Sequence, residues 1–286
     1  MKAAASAPAG PAEDATRSHH AAVAAFREAV DRNARVWRAD GVADSPVPGL
    51  SWTAGETAAH MIGDLRETTE ALAAHARGEA AHTPDRSGSQ SQASAAANAR
   101  HLTVVRERNL PRLAELLEEA ADAYLRVVTA LTSGSENQPV PTPSGLVVTP
   151  PTMTGLLLGE QLIHGLDIAR AIRAEWSISR RDALLAIPGV LVVAPQYVKT
   201  TQNLHSSYEL RIRGGPRYRM AIDDGSAVIT AAVGKADCTI SADPVAFLLL
   251  CYERVPVWTQ LVRGKVFAGG RRPWLAARFG ELLTSP

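Results

Sequence analysis

Cysteine is scarce in this chain of 286 residues, which contains only Cys238 and Cys251. Two cysteines are too few for a disulfide framework or for a zinc site built from cysteine ligands. The chain also lacks an excess of either charge, because 30 Lys and Arg residues offset 29 Asp and Glu residues to leave a net charge of +1. A dedicated nucleic-acid-binding protein needs a clustered basic surface, so we expect no nucleic-acid partner.

Long apolar runs are missing as well. No stretch of the sequence approaches the roughly 20 apolar residues of a membrane-spanning helix, so we expect no membrane partner. Residues 1–15 consist mostly of Ala, Ser, Pro and Gly, and they lack the apolar centre of a secretory signal peptide. We therefore predict that residues 1–15 form a disordered tail on a cytoplasmic protein.

Alanine, by contrast, is abundant, with fifty residues, and it is the strongest helix former. Apolar residues recur in steps of three and four between Val23 and Trp37, which predicts an amphipathic helix over residues 16–39. Thr53 and Glu56 have the spacing of a capping box, in which each side chain bonds to the other residue's backbone N–H. A second helix is therefore predicted to begin at this point.

The rest of the first 200 residues alternates between helical stretches and loops. Two segments are rich in Ser, Gly, Gln and Pro with little periodicity, and we predict them to be loops: residues 78–97 and 133–151. The other predicted helices are residues 98–131, 153–174 and 181–198. Proline is expected to kink or restart the first of them at Pro111 and to break the last at Pro188 and Pro195.

After about residue 203 the apolar pattern changes to a period of two. Tyr208–Arg213 and the first part of Arg217–Ile222 alternate polar and apolar residues, and a Gly-Gly-Pro turn separates them. Together with Ala227–Thr230 and Cys238–Ser241, they predict an antiparallel meander with one buried face.

The elements together predict an α+β protein. Asp243 as cap and Pro244 at the first position predict a helix after the last strand, and a final helix is predicted over residues 273–283. We divide the chain into a helical domain over residues 16–200 and a small antiparallel-sheet α+β domain over residues 201–286.

Two predicted helices carry side chains that bind metals. Glu160 and His164 stand four residues apart, so both lie on one helix face. Imidazole and carboxylate suit zinc, although a helix-stabilising surface pair is the simpler interpretation. His60 lies among apolar residues, where a lone histidine is more often a hydrogen-bonded core residue. If the two helices face each other, His60, Glu160 and His164 make a three-ligand site with an open fourth position, as in catalytic zinc sites.

The same two stretches carry motifs that resemble those of a known family. The motif residues are Trp52, Thr53, Glu56 and His60 in the first stretch and Glu160, His164, Gly165 and Asp167 in the second. Their residue types, order and separation resemble the motifs of the mycothiol-dependent maleylpyruvate isomerase family. The resemblance covers nearly the whole chain beyond the tail. It implies a DinB-like four-helix bundle followed by an α+β domain similar to sterol carrier protein.

The resemblance also implies roles for individual residues. In the family the matching histidines and glutamate bind zinc, and in this chain they are His60, Glu160 and His164. Asp167 resembles the family's aspartate and is expected to accept a hydrogen bond from His164 and so orient it. The alternative for Asp167 is an ordinary surface pair with Arg170.

Arg254 is our candidate catalytic residue. It matches a family arginine that is expected to contact the substrate carboxylate near the metal. The family often has a glycine before this arginine, whereas this chain has Glu253. A surface pair between Glu253 and Arg254 is therefore the alternative.

The resemblance implies an enzyme with two small-molecule partners, an electrophilic substrate and a thiol cosubstrate, mycothiol. Zinc, or another divalent ion such as Fe, Ni or Mn, would keep the thiol as a thiolate at neutral pH. Cis–trans isomerisation and S-transfer both remain open as outcomes. Because Cys238 and Cys251 are expected to be small buried apolar residues, the reactive sulfur is not the chain's own. The alternatives are a zinc-dependent hydrolase using metal-bound water and a non-catalytic small-molecule or lipid-binding protein.

Overall fold

The computed structural model describes residues 11–39, 42–79, 88–132, 134–142, 144–199, 205–279 and 282. Residues 1–10 of the predicted tail lie outside the described residues. From Pro11 onward the chain is helical, so the prediction is wrong for residues 11–15. Proline suits the first position of a helix because its missing N–H has no intrahelical partner there.

Helices dominate the chain as far as Val193. Their bounds are Pro11–Arg38 (α1), Ala54–Ala76 (α2), Gln90–Val104 (α3), Leu110–Thr129 (α4), Pro150–Ile172 (α5) and Arg180–Val193 (α6). The predicted four-helix bundle consists of α1, α2, α4 and α5, in which α1 and α2 each contact both α4 and α5. Helix α3 packs on α2, and α6 packs on α5. Trp37, Leu65 and Tyr124 are fully buried between these helices.

Local capping interactions determine where α2 and α4 begin. Thr53 and Glu56 form the predicted capping box at the start of α2. Of the two alternatives at Pro111, the structure contains the new helix, because α4 begins there with Asn109 as its cap. Both starts were readable from the sequence because the interactions join residues that are close along the chain.

Helix α3 lies partly inside a segment predicted to be a loop, residues 78–97. Ser89 and Gln92 form a second capping box at its start. Residues 80–87 of the segment lie outside the described residues, and the prediction is wrong from Gln90 onward. The sequence of α3 has few large apolar side chains, so it lacks the apolar stripe that predicts a helix. Packing of α3 on α2 stabilises the helix.

A short hairpin occupies the second predicted loop, residues 133–151. Its strands, Val140–Pro141 (β1) and Val147–Val148 (β2), pair antiparallel. Two-residue strands are too short for an alternating pattern to reveal them. Val140 and Val148 are buried and β1 contacts α2, so the hairpin closes one side of the bundle.

Helix α6 contains a proline that does not end it. Pro188 was expected to break the helix, but α6 continues to Val193, so that prediction is wrong. The 3₁₀ turn Ala194–Tyr197 follows, so the helix does end at the second expected break, Pro195. A proline inside a helix removes one hydrogen bond, and the packing of α6 against α5 offsets this loss.

The described residues from His205 onward contain a five-stranded sheet. Its strands are His205–Ile212 (β3), Arg217–Asp223 (β4), Ser226–Ala231 (β5), Cys238–Ala242 (β6) and Val266–Gly269 (β7), in the order β5-β4-β3-β6-β7. The α+β class is confirmed, and β3, β4 and β5 form the predicted antiparallel meander. The sheet is nevertheless mixed rather than antiparallel, because β6 pairs parallel to β3. Alternation identifies a strand and its buried face, but it does not identify the neighbour or its direction.

Short helices accompany the sheet. They are Pro244–Cys251 (α7), Val257–Val262 (α8) and Leu275–Phe279 (α9). Asp243 caps α7 as predicted, whereas α8 and β7 were not predicted. Helix α9 is shorter than the predicted helix over residues 273–283, of which residues 280, 281 and 283 lie outside the described residues.

Contact between α7 and α6 joins the sheet domain to the helical bundle. The predicted domain boundary falls at residues 200–204, outside the described residues, and stays a prediction. In the part of the chain that the structure describes, we find no helix with both the length and the apolar character that crossing a membrane requires.

Gly189→Ala is expected to lower the free energy of unfolding by about 1–2 kcal/mol, although alanine is the better helix former. A Cβ at this position of α6 would lie 2.9 Å from backbone atoms of Leu156 and Thr152 on α5. Denaturant unfolding measures the change. The control is Gly134→Ala, where a Cβ would meet nothing within 4 Å. Equal stability of the two variants would contradict this account of the contact between α5 and α6.

Candidate active site

Two helices of the bundle bring His60, Glu160 and His164 together. The Nε2 atom of His164 lies 3.1 Å from Oε2 of Glu160, and Nε2 of His60 lies 3.6 Å from the same oxygen. Both histidines are buried, and their rings meet edge to face. The glutamate therefore lies between an imidazole of α2 and an imidazole of its own helix, α5.

The three side chains lie close enough together to hold a metal ion. Their ligand atoms all lie within 4.8 Å of one another. A tetrahedral zinc ion with bonds of about 2.0–2.1 Å holds its ligand atoms about 3.4 Å apart. The distances of 3.1 and 3.6 Å to Glu160 lie on either side of that value. Glu160 and His164 thus face a buried centre rather than forming a pair on the outer surface.

Burial and mutual contact determine the charges of these groups. Burial lowers the pKa of His60 to about 4, so its imidazole is neutral at pH 7. Burial also favours a lower pKa for His164, but hydrogen bonds with Asp167 and Glu160 outweigh it and raise the pKa of this imidazole to about 9. Burial would raise the pKa of Glu160, yet hydrogen bonds with His164 and His60 hold it well below its ordinary value. The cluster therefore contains an imidazolium, a carboxylate and a neutral imidazole.

Asp167 and Arg254 lie behind His164. Oδ2 of Asp167 is 3.1 Å from Nδ1 of His164, and Arg254 donates to both oxygens of Asp167 through Nε and Nη2. Burial would raise the pKa of Asp167, but hydrogen bonds from His164 and Arg254 keep it below its ordinary value. The carboxylate thus faces inward and contacts His164 and Arg254, and it does not form the alternative surface pair with Arg170.

The backbone at Glu253 places Arg254 beside the cluster. Glu253 follows α7 and has a φ of 56°, in the left-handed region that glycine occupies most readily. The backbone that a Gly-Arg pair favours is therefore present although the glycine is not. Arg254 bonds to Asp167 and to the carbonyl oxygen of Tyr252, rather than pairing with Glu253 on the surface.

The cluster borders a cavity of about 390 Å³ between the bundle and the sheet domain. Both parts of the chain contribute to its largely apolar wall. Among the described residues of that wall, Arg254 is the only Lys or Arg side chain. A cavity of this size holds a small organic molecule. Representative wall residues are Trp52, Met153, Tyr197, Met220, Phe247 and Tyr252.

His101 and Glu67 also belong to the surroundings of the cluster, and the sequence interpretation missed them. His101 of α3 is buried, with its Nδ1 atom 3.1 Å from Nδ1 of His60. Its Nε2 atom lies 2.6 Å from Oε2 of Glu67 on α2. A histidine and a glutamate on separate helices share no recognisable spacing, so only the packing of α3 on α2 could have indicated this contact.

Comparison with known proteins gives one family match. Residues 40–169 match the family model of the mycothiol maleylpyruvate isomerase N-terminal domain. This range contains His60, Glu160 and His164. Among curated proteins, no sequence matches the chain significantly.

Two solved structures resemble the chain over most of its length. The mycothiol-dependent maleylpyruvate isomerase has a TM-score of 0.58 at 14% identity, with 88% of this chain and 92% of that chain covered. A histidine-to-alanine mutant of an enzyme with that name has a TM-score of 0.57 at the same identity and coverage. At such low identity these likenesses show a common fold.

Asp167→Asn is expected to lower the pKa of His164 from about 9 by about one unit or more, because the variant keeps the burial but loses a charged acceptor. NMR titration of the zinc-free protein measures this pKa. The exposed Asp122→Asn is the control and should leave it unchanged. An unaltered pKa in Asp167→Asn would contradict the role assigned to Asp167.

The same pKa predicts how stability depends on pH. The folded pKa of His164, about 9, lies above the ordinary value of 6.5. Its contribution to stability is therefore fully present below about pH 6.5 and is lost as the pH rises to about 9. Denaturant unfolding of the zinc-free protein across this range should show a smaller loss in Asp167→Asn than in the wild type.

Proposed function

We propose that this chain, whose residues 40–169 match the mycothiol maleylpyruvate isomerase N-terminal domain, belongs to that family of enzymes and catalyses a mycothiol-dependent reaction of a small electrophilic molecule. The observation that carries the proposal is the convergence of His60, Glu160 and His164 at the wall of a cavity large enough for such a molecule. A fold alone would not support it, since one fold supports many functions.

The metal is proposed to be zinc, held by His60, Glu160 and His164. Two imidazoles and a carboxylate are also compatible with Fe, Ni or Mn. When bound, the ion would stabilise the thiolate form of the cosubstrate at neutral pH. Asp167 accepts the Nδ1 proton of His164, so that the proton on Nε2 is the one that a bound ion would displace.

The chain's own cysteines do not replace the external thiol. Cys251 lies in the cavity wall, but burial raises the pKa of its thiol to about 12. It therefore stays protonated at neutral pH and is a poor nucleophile or ligand. Cys238 is fully buried in β6. These observations support a small-molecule thiol as the source of sulfur.

Arg254 is proposed to contact a carboxylate of the substrate. A guanidinium has five N–H donors. Three of them bond to Asp167 and to the Tyr252 carbonyl, which leaves two for a ligand in the cavity. Isomerisation and S-transfer both require the sulfur to bond to an electrophilic carbon, and they differ in whether that bond persists in the product. We retain both outcomes, and a cytoplasmic location also stays a prediction.

His164→Ala is expected to abolish both zinc binding and mycothiol-dependent turnover, because it removes a ligand and leaves Glu160 without its closest partner. Elemental analysis and a turnover assay with maleylpyruvate measure the two effects. The control is His205→Ala, which removes an exposed histidine from β3. Full thiol-dependent activity in a zinc-free His164→Ala protein would refute the proposed function.

A second cavity favours a second candidate function, the binding of an apolar small molecule. It has a volume of about 270 Å³, lies within the sheet domain and is lined almost entirely by apolar side chains, among them Trp258, Leu261 and Trp274. If binding were the whole function, the purified chain would carry an apolar ligand and no zinc. Mass spectrometry of an organic extract and elemental analysis distinguish this outcome from an enzyme with one zinc ion per chain.

A further inference from the structure

The candidate metal ligand His60 uses its second ring nitrogen to contact another histidine. Nδ1 of His60 lies 3.1 Å from Nδ1 of His101, and their ring centroids are 5.2 Å apart. Nε2 of His60 points the other way, 3.6 Å from Oε2 of Glu160. Two ring nitrogens at hydrogen-bond distance need one donor and one acceptor, so the proton positions on the two histidines depend on each other.

Metal binding would determine the direction of this hydrogen bond. A histidine that binds a metal through Nε2 carries its proton on Nδ1. His60 is then the donor, and Nδ1 of His101 must accept. The proton of a neutral His101 consequently lies on Nε2. That nitrogen is 2.6 Å from Oε2 of Glu67, and a carboxylate is suited to this position because it accepts without donating.

Arg100 holds the far end of this arrangement. Nη2 of Arg100 donates to Oε1 of Glu67 at 2.7 Å, while Oε2 faces His101. Burial would raise the pKa of Glu67, but the hydrogen bonds with His101 and Arg100 keep it below its ordinary value. The carboxylate is therefore ionised at neutral pH and available as an acceptor.

Gly63 allows α3 to approach α2 closely enough for these contacts. A Cβ at Gly63 would lie 2.5 Å from Cβ of His101 and 2.9 Å from its Cα. Any larger residue at this position would push His101 away from His60. The close approach of the two helices is thus centred on the residue that contacts the candidate ligand.

We propose that His101 and Glu67 are positioning residues, which hold His60 in the tautomer that leaves Nε2 free for the metal. This proposal rests on the metal site of the proposed function. In this proposal each histidine ligand is oriented by a neighbouring side chain, His60 by His101 and His164 by Asp167.

Glu67→Gln tests the direction of the hydrogen bonds with almost no change in shape. Arg100 only donates, so it retains the amide oxygen of Gln and leaves the amide NH₂ facing His101. Nε2 of His101 must then accept, which moves its proton to Nδ1. Nδ1 of His60 must accept in turn, and the proton of His60 moves to Nε2, the atom needed by the metal. Glu67→Gln is therefore expected to weaken zinc binding about 10–100-fold.

Removal of Arg100 is expected to rescue this variant. In Glu67→Gln/Arg100→Ala the amide is free to turn its oxygen towards His101, which restores the original direction of the hydrogen bonds. Zinc affinity should then return to within about threefold of the wild-type value. The matched control is Glu70→Gln, which removes an exposed carboxylate from the same helix and should leave zinc affinity unchanged.

Competition with a chelator measures the zinc affinity of each full-length variant. Two-bond ¹H–¹⁵N NMR spectra identify the protonated nitrogen of His60 and His101 in the zinc-loaded wild type, which should be Nδ1 and Nε2 respectively. Weakened binding in Glu67→Gln with rescue in the double variant supports the proposal. Unchanged affinity in Glu67→Gln, or equal loss in both variants, overturns it. If the wild type itself binds no zinc, the proposed function fails instead.

Discussion

A half-buried carboxylate between two imidazoles is the interaction on which the site depends. Even partial burial of the Glu160 carboxylate costs free energy unless cationic or hydrogen-bonding partners compensate its charge. His164 provides one partner from the same helix, and His60 provides the other from α2. Because Glu160, His164 and Asp167 are spaced by four and three residues, all three lie on one helix face, where Glu160 and His164 line the cavity and Asp167 lies behind His164. The position of α5 against α2 therefore determines whether the three ligand atoms converge.

The remainder of the fold maintains that position. Gly165, beside His164, leaves room for Trp176 and Asn33, which a Cβ there would displace. The sheet domain contributes Arg254, whose charge compensates Asp167 behind the site. The same domain completes the wall of the cavity opposite the bundle. The two domains thus form the candidate site jointly.

Features that depend on neighbouring residues could be predicted from the sequence, and features that depend on packing could not. The capping box at Thr53 and the cap at Asp243 are local interactions, and both were predicted. Helix α3, the continuation of α6 through Pro188 and the parallel pairing of β6 depend on distant segments, and the pattern did not reveal them. The positions of His60, Glu160 and His164 followed from motif and resemblance. The contact of His101 with His60 required the packing of α3 on α2.

X-ray absorption spectroscopy of the zinc-loaded chain, before and after the addition of mycothiol, tests the central claim most directly. The account predicts nitrogen and oxygen neighbours at about 2.0–2.1 Å and no sulfur in the protein alone. One sulfur neighbour at about 2.3 Å should then appear when mycothiol is added. Sulfur bound before any thiol is present, or none bound at saturating mycothiol, would contradict a site in which the chain supplies two histidines and a glutamate and the thiol comes from outside.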